Sequence, residues 1–264
     1  MKKVSLVLLL CMSSLMTFAQ ASGGQIRRKP NNTVNNRSQS TRNYSVREYT
    51  TNVATSDDGE KYKYETTQIV DLGLSSGTIW AGWNIGATSP EEIGEYYAWG
   101  EISPKINYDW TNYFDTEKII NENGPIEFKK YHVNGILSII GTEHDVARMK
   151  WGEPWKMPTK AQLEELIREC EVHRVKLKGE NNYNYVIFKG PNGKSILFPM
   201  AGEKVKTELR TTWCEICWSG ELRPYYSASS QNSLFSFHIG FSSSVVKLYS
   251  EGFRCHGLNV RAVR

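Results

Sequence analysis

The sequence predicts an α+β fold in which few helices precede a largely antiparallel C-terminal sheet. Three observations lead to this fold class. Residues 159–170 have a helix start signal followed by apolar residues at helical spacing. Residues 183–202 have two apolar runs around Asn192-Gly193, a dipeptide that suits tight hairpin turns. From Tyr225 onward, short extended segments alternate with serine-rich joints. Few helices placed before many strands are typical of an α+β domain.

The first 21 residues are predicted to be a signal peptide. Lys2 and Lys3 precede the largely apolar run 4–16, and small residues follow at Ala19 and Ala21. This run is too short to span a bilayer, and no later segment is long and apolar enough to do so. We therefore expect an exported bacterial protein without a transmembrane segment, located in the periplasm, on the outer-membrane surface or outside the cell.

Residues 22–43 are predicted to be a disordered basic linker. The whole chain has 32 Lys and Arg residues against 28 Asp and Glu residues. Six of the basic residues and none of the acidic ones lie between positions 22 and 47. Asn and Ser residues separate these charges, as is typical of a solvated spacer. Such a stretch could touch anionic lipid or polysaccharide, and we predict no nucleic-acid partner.

The next segments are predicted to be extended. Residues 44–68 are expected to form a hairpin appendage, because the turn sequence Ser56-Asp57-Asp58-Gly59 separates two alternating stretches. Residues 69–264 are expected to form the main domain. That domain begins with a short strand at Ile69, a Gly-rich turn and a second strand over 78–84. Large buried aromatic residues are then predicted at Tyr96, Tyr97 and Trp99.

Two helices are predicted in the middle of the chain. A short one is expected to begin near Thr142, with Asp145 three residues later, and to end near Trp151. In the second, Thr159 and Gln162 have the spacing of a capping box. Its apolar face is formed by Leu163, Leu166, Ile167 and Cys170. We expect this second helix to pack on the sheet.

Four stretches of the chain resemble a known family. They are VDLGLSSGTIWAGWNIGATSPEEIGEYYAWGE, WGEPWKMPTKAQLEELI, GPNGKSILFPMAG and the closing NVRAVR. In this order they resemble the Fibrobacter succinogenes major paralogous domain family, over residues 70–264. The resemblance implies a C-type-lectin-like fold with a twisted sheet, related to the formylglycine-generating architecture. The chain departs from the family at Tyr226-Ser227-Ala228, where Trp-Ser-Ser is usual, and at Ala262, where Pro is usual. The resemblance supplies no catalytic residues.

The cysteines allow several interpretations. Cys214 and Cys217 have redox-motif spacing, but no helical pattern follows them to lower a thiolate pKa. A zinc site of Cys214, Cys217, Cys255 and His256 has suitable ligand types without the usual paired spacing. We favour a structural disulfide among Cys214, Cys217 and Cys255, or buried thiols in an exported protein.

The C-terminal region has the composition of a binding surface. No acidic residue lies between Glu221 and Glu251, whereas tyrosine, phenylalanine and serine are frequent. Tyrosine combined with serine offers rigid stacking area and adaptable hydrogen bonding. The predicted ligand-binding residues are Tyr225, Tyr226, Ser229, Gln231, Phe241, Tyr249 and His256. In the competing interpretation, alternate residues such as Phe235, Phe237 and Ile239 belong to the core.

These observations predict an exported, non-catalytic recognition module that needs no cofactor. Its partner would be a glycan or a cell-surface or other protein ligand, bound through the C-terminal Tyr/Ser-rich face. One alternative is an enzyme of the formylglycine-generating or thiol oxidase type that uses Cys214, Cys217 and Cys255. Another alternative is a structural component of the cell envelope.

Overall fold

Short antiparallel strands dominate the structure, a computed structural model. It describes residues 51–119, 126–131, 136–211, 214–224, 234–241 and 246–264, with only the backbone described at 126, 214–216 and 241. The predicted signal peptide and basic linker therefore lie outside the described residues. So does the first part of the predicted hairpin appendage. In the described part of the chain, the few short helices and many strands confirm an α+β fold.

The first two strands form a hairpin. β1 (Thr51–Thr55) pairs with β2 (Lys61–Glu65), and Gly59 takes a positive φ of 90° in the turn between them. The Asp58 carboxylate accepts hydrogen bonds from the Ser56 hydroxyl and the Glu60 N–H, which closes this turn. Ala54 and Tyr64 are buried in one apolar cluster with Val175, Ile187 and Leu197. The hairpin is thus docked on the main domain.

A second pair of short strands follows. β3 (Ile69–Asp71) pairs with β4 (Ile79–Ala81), so the second strand is shorter than the predicted 78–84. The loop between them is held by the buried Glu165 carboxylate. It accepts hydrogen bonds from the Ser76 N–H at 2.8 Å and the Ser76 hydroxyl at 2.6 Å. Trp80, at the centre of β4, is fully buried.

The segment after β4 carries the predicted aromatic residues into the core. Tyr96, Tyr97 and Trp99 are all buried, as predicted. The chain then forms a single 3-10 turn (Trp110–Asn112), which Asp109 caps. Two strands follow and pair with each other, β5 (Thr116–Ile119) and β6 (Ile126–Phe128).

The two helices lie where the sequence predicts them. α1 (Val146–Trp151) ends at the predicted residue, but its N-cap is Asp145 and not Thr142. Thr142 instead accepts the Asp145 N–H in the preceding turn. α2 (Lys160–Glu169) has the predicted capping box, with reciprocal bonds between Thr159 and Gln162. Between the helices, Trp155 and Met157 are buried.

A three-stranded antiparallel sheet follows α2 in the chain. It consists of β7 (Glu171–Val175), β8 (Tyr185–Lys189) and β9 (Ser195–Pro199). The predicted Asn192-Gly193 turn joins β8 to β9, and Gly193 has a φ of 84°. Apolar residues of this sheet and of the helix belong to the same core cluster. This core cluster contains Leu163, Leu166, Val186, Phe188, Ile196 and Phe198.

The C-terminal sheet has three antiparallel strands. A small hairpin of β10 (Glu203–Val205) and β11 (Glu208–Arg210) precedes it. The sheet itself has the order β12 (Cys214–Leu222), β13 (Phe235–Phe241), β14 (Val246–Phe253). Phe237 and Ile239 of β13 are buried, which supports their interpretation as core residues.

Residues 257–264 close the fold. Leu258 forms a bridge with Tyr97, and Val263 forms bridges with both Trp80 and Lys156. The residues from Gly257 to Val263 are all buried. They include Arg261, whose side chain is completely enclosed. In the described residues, no helix has the length and apolar character needed to cross a membrane.

Candidate functional site

The structure describes only part of the predicted binding face. Tyr225, Tyr226, Ser229 and Gln231 lie outside the described residues, and Phe241 is described by its backbone alone, at the end of β13. Tyr249 lies in the middle of β14, and His256 follows that strand directly. The candidate site is therefore built from β13, β14 and the residues that contact them.

Tyr249 ends a row of rings that crosses the C-terminal sheet. It is the cross-strand partner of His238, and their rings stack with centroids 5.5 Å apart at an angle of 12°. His238 in turn meets the buried Trp218 ring edge to face at 5.8 Å. A Cβ atom at Gly252 would lie 2.7 Å from both the His238 and Trp218 rings, so this glycine makes room for the row. The row leaves Tyr249 half-exposed, with the Lys247 ammonium 4.6 Å from its ring centroid.

A second group of rings lies at the other end of β14. We call it the aromatic cluster. It consists of Trp110, Phe128, Phe235, Phe253 and His256, and each ring is at least partly exposed. Phe253 is central, with ring centroids 4.8 Å from Phe235, 5.2 Å from His256 and 6.3 Å from Trp110. Phe253 is 37% exposed, although its ring has three aromatic neighbours.

A buried arginine packs against the aromatic cluster. The Arg254 guanidinium is completely enclosed and lies 3.8 Å from the Phe128 ring centroid. It donates to the Tyr131 carbonyl at 2.8 Å and faces the Asp115 carboxylate at 3.4 Å. Burial raises the pKa of Asp115 and lowers the pKa of Arg254, and their mutual attraction opposes both shifts. The Arg254 backbone N–H also bonds the Leu234 carbonyl at 3.0 Å, which fixes the start of β13.

His256 is oriented by a carboxylate. Its Nδ1 lies 2.8 Å from an oxygen of the buried Glu203. Burial raises the pKa of Glu203, but the hydrogen bond from His256 and nearby positive charges outweigh burial, so the net pKa is lowered. Because an ionised carboxylate only accepts, Nδ1 carries the hydrogen. The Nε2 atom is then the nitrogen through which His256 can hydrogen-bond a ligand.

Glu203 should make the stability of the protein depend on acid pH. Its folded pKa lies below the ordinary value of 4.5, so its stabilising effect is full above pH 4.5 and is lost as pH falls through the folded pKa. We expect the free-energy difference between the unaltered chain and Glu203→Gln, measured by urea unfolding, to shrink on acidification. The exposed Glu208→Gln is the control, and its difference should stay flat. A pH-independent effect of Glu203→Gln would contradict this assignment.

The described cysteines are buried thiols. Cys217 and Cys255 are both free and lie in separate core clusters, so the disulfide predicted as one possibility between these two is not formed. Burial raises the pKa of Cys217 to about 11 and also raises that of Cys255. The Cys217 sulfur accepts the Arg261 N–H at 3.3 Å. The Cys214 side chain lies outside the described residues, and the part of the chain that is described contains no cluster of metal ligands.

Sequence reasoning identified only part of this site. It selected Tyr249 and His256 but missed Glu203, Trp110 and Phe253. Trp110 lies 136 residues before Val246, the first residue of β14, and no local pattern connects the two. Phe253 could have been recognised. Residues two positions apart share one face of a regular strand, so it would lie on the same face as Lys247, Tyr249 and Glu251.

The site can therefore stack flat apolar groups on exposed rings and offer hydrogen bonds from a fixed imidazole. Neither property requires a metal or a reactive thiol. Comparison of the chain with protein-family models, with curated proteins and with solved structures finds no match.

Proposed function

We propose that the protein is a non-catalytic recognition module that binds a glycan or a surface protein through its C-terminal face. The observation that carries this proposal is the exposed Phe253 ring at the centre of the aromatic cluster. An aromatic side chain held rigidly by its neighbours loses little entropy on binding, and this favours it as a contact residue. Sugar rings and aromatic protein side chains both present flat faces that stack on such rings.

The surroundings of Phe253 support this proposal. Arg254 ties the start of β13 to the core, and Leu234 and Phe235 directly follow the predicted Tyr/Ser-rich segment. Tyr225 and Tyr226 are therefore close in sequence to the described cluster. We propose that these tyrosines, with Ser229 and Gln231, extend the same binding face.

The finer predictions on fold and location belong to the same proposal. The antiparallel sheets and few helices are compatible with a C-type-lectin-like domain. The lysines and apolar run of residues 1–21 are compatible with export. In this proposal the domain acts in the periplasm, at the outer-membrane surface or outside the cell.

The thiols give the enzyme alternative little support. Thiol chemistry requires an accessible thiolate, and burial has the opposite effect on a thiol pKa. Cys217 is fully enclosed, and its raised pKa of about 11 keeps it protonated at neutral pH. Cys255 is 2% exposed and its pKa is also raised.

Binding to a glycan array and to intact bacterial cells tests the proposal. We expect the full chain to bind, and Phe253→Ala to weaken binding about tenfold, the effect of losing roughly 1.4 kcal/mol at an aromatic contact. Tyr249→Ala should also weaken binding. The control is Tyr183→Ala, which removes an aromatic ring that is 40% exposed but lies outside the aromatic cluster.

Circular dichroism must show that each variant keeps its fold. A loss of binding confined to Phe253→Ala and Tyr249→Ala supports the proposal. An equal loss in Tyr183→Ala, or no binding of the unaltered chain to either array or cells, contradicts it.

A further inference from the structure

A recess of about 610 Å³ lies between the loop 100–105 and the start of α1. This volume falls within the range of about 300 to 1,000 Å³ that is usual for small-molecule sites. Its apolar lining includes Ile102, Pro104, Phe114 and Met149, and Met149 is 47% exposed. The recess is formed by residues other than those of the aromatic cluster.

His144 lines this recess, and its neighbours determine which ring nitrogen carries the hydrogen. Its Nδ1 lies 3.0 Å from the Gly100 carbonyl oxygen. A carbonyl only accepts, so Nδ1 carries the hydrogen and the neutral ring has an acceptor at Nε2. The Phe114 ring stacks on His144 at 4.5 Å, and the Tyr131 ring meets it edge to face at 5.4 Å. These contacts fix the orientation of the imidazole.

A carboxylate lies beside this acceptor. His144 Nε2 is 3.6 Å from an oxygen of Glu143, which also lines the recess. Glu143 has an ion-pair partner in Lys130 at 3.1 Å, but their side chains are 65% and 44% exposed. An exposed pair of this kind contributes little to stability and can be displaced by another cation. This end of the recess therefore attracts a hydrogen-bond donor with positive charge.

The other charged groups of the recess neutralise each other. The Lys105 ammonium donates to the Glu101 carboxylate at 2.8 Å and to the Asn112 side-chain oxygen at 3.0 Å. A third contact, to the Asn112 carbonyl, measures 3.5 Å. Since an ammonium has three N–H donors, Lys105 has none left for an anionic ligand.

We propose that this recess binds a small organic amine: a primary ammonium group on a short apolar or aromatic body. The ammonium would lie between His144 Nε2 and the Glu143 carboxylate. The body would lie against Ile102, Pro104 and Met149. A carboxylate at the same position would face two acceptors, and an alcohol would gain no charge attraction, so the amine is the preferred class.

Isothermal titration calorimetry of the full chain with 2-phenylethylamine tests this inference. We expect saturable binding with a dissociation constant of about 1 mM, appropriate for so small a ligand. The isosteric 2-phenylethanol should bind about tenfold more weakly, since a hydrogen bond from a charged donor is stronger than one from a neutral hydroxyl. Phenylacetate should bind more weakly still.

Three exposed variants separate specific from adventitious binding. Glu143→Gln should lower the affinity for 2-phenylethylamine, and Lys130→Gln should raise it, because Lys130 competes for the same carboxylate. Glu164→Gln is the matched control, since Glu164 has a similar exposed pairing with Lys160 on α2. The affinity of the Glu164→Gln variant for 2-phenylethylamine should equal that of the unaltered chain. No saturable binding, phenylacetate binding as tight as that of the amine, or an unaffected Glu143→Gln variant would each overturn the inference.

Discussion

Arg261→Ala will lower the free energy of unfolding by about 3 to 5 kcal/mol, within the range for truncating a large buried side chain. The guanidinium donates to the Asn84 side-chain oxygen at 2.8 Å, to the Leu197 carbonyl at 2.9 Å and to the Ala81 carbonyl at 3.1 Å. It also lies 4.0 Å from the Phe198 ring centroid. Burial lowers the pKa of Arg261 to about 9, so the group is still charged at neutral pH. Its removal leaves all three acceptors unpaired.

Urea unfolding at pH 7 measures this loss, and two further variants serve as comparisons. Arg261→Met keeps much of the side-chain volume but restores none of the three hydrogen bonds, so a total loss of about 1 to 3 kcal/mol should remain. Arg168→Ala, on the exposed face of α2, should change stability by less than about 0.5 kcal/mol. A loss below about 1 kcal/mol in Arg261→Ala would show that the segment 257–264 does not depend on this side chain.

Asp145→Ala is expected to cost about 3 to 4 kcal/mol, more than the roughly 1 kcal/mol of an ordinary N-cap. The Asp145 carboxylate is fully buried and accepts backbone N–H groups from both sides of α1. The donors are Gly141 at 2.9 Å, Ala147 at 3.1 Å, Arg148 at 3.2 Å and Met157 at 3.0 Å. Burial raises the pKa of Asp145, and these four bonds oppose that rise. In Asp145→Ala, all four N–H groups lose their acceptor.

Asp145→Asn should be less destabilising, because its one oxygen can still accept the Ala147, Arg148 and Met157 N–H groups, and only the Gly141 N–H loses its acceptor. Thermal unfolding followed by circular dichroism, calibrated by urea titration, provides the measurement. Asp109→Ala is the matched control, since Asp109 also caps a helix but is only half-buried. Equal losses in Asp109→Ala and Asp145→Ala would refute the central role of Asp145.

Local sequence patterns predicted the local parts of the fold. The capping box of α2 and the Asn192-Gly193 turn depend on residues a few positions apart, and both are confirmed. The cap of α1 was predicted wrongly at Thr142. Asp145 is the N-cap instead. It also accepts the Met157 N–H, 12 residues away, and rules for helix caps do not include such a contact.

Long-range contacts explain what the sequence could not predict. The three groups that accept hydrogen bonds from the Arg261 side chain come from segments 64 to 180 residues earlier, so its burial has no local signal. The same reason applies to the candidate site. Tyr249 and His256 were selected by composition, but Trp110 and Glu203 join them only through the tertiary fold.

The central position of residues 257–264 also sets the time at which folding can finish. Ala81 receives its hydrogen bond from Arg261 only after 180 further residues have been added to the growing chain. At synthesis rates of about 5 to 20 residues per second, that interval is roughly 10 to 40 s. Until then, Trp80 and Lys156 lack Val263, the residue that forms a bridge with each of them. We therefore expect folding to be cooperative and to follow synthesis of the whole domain, at the slow rate typical of distant strand pairings.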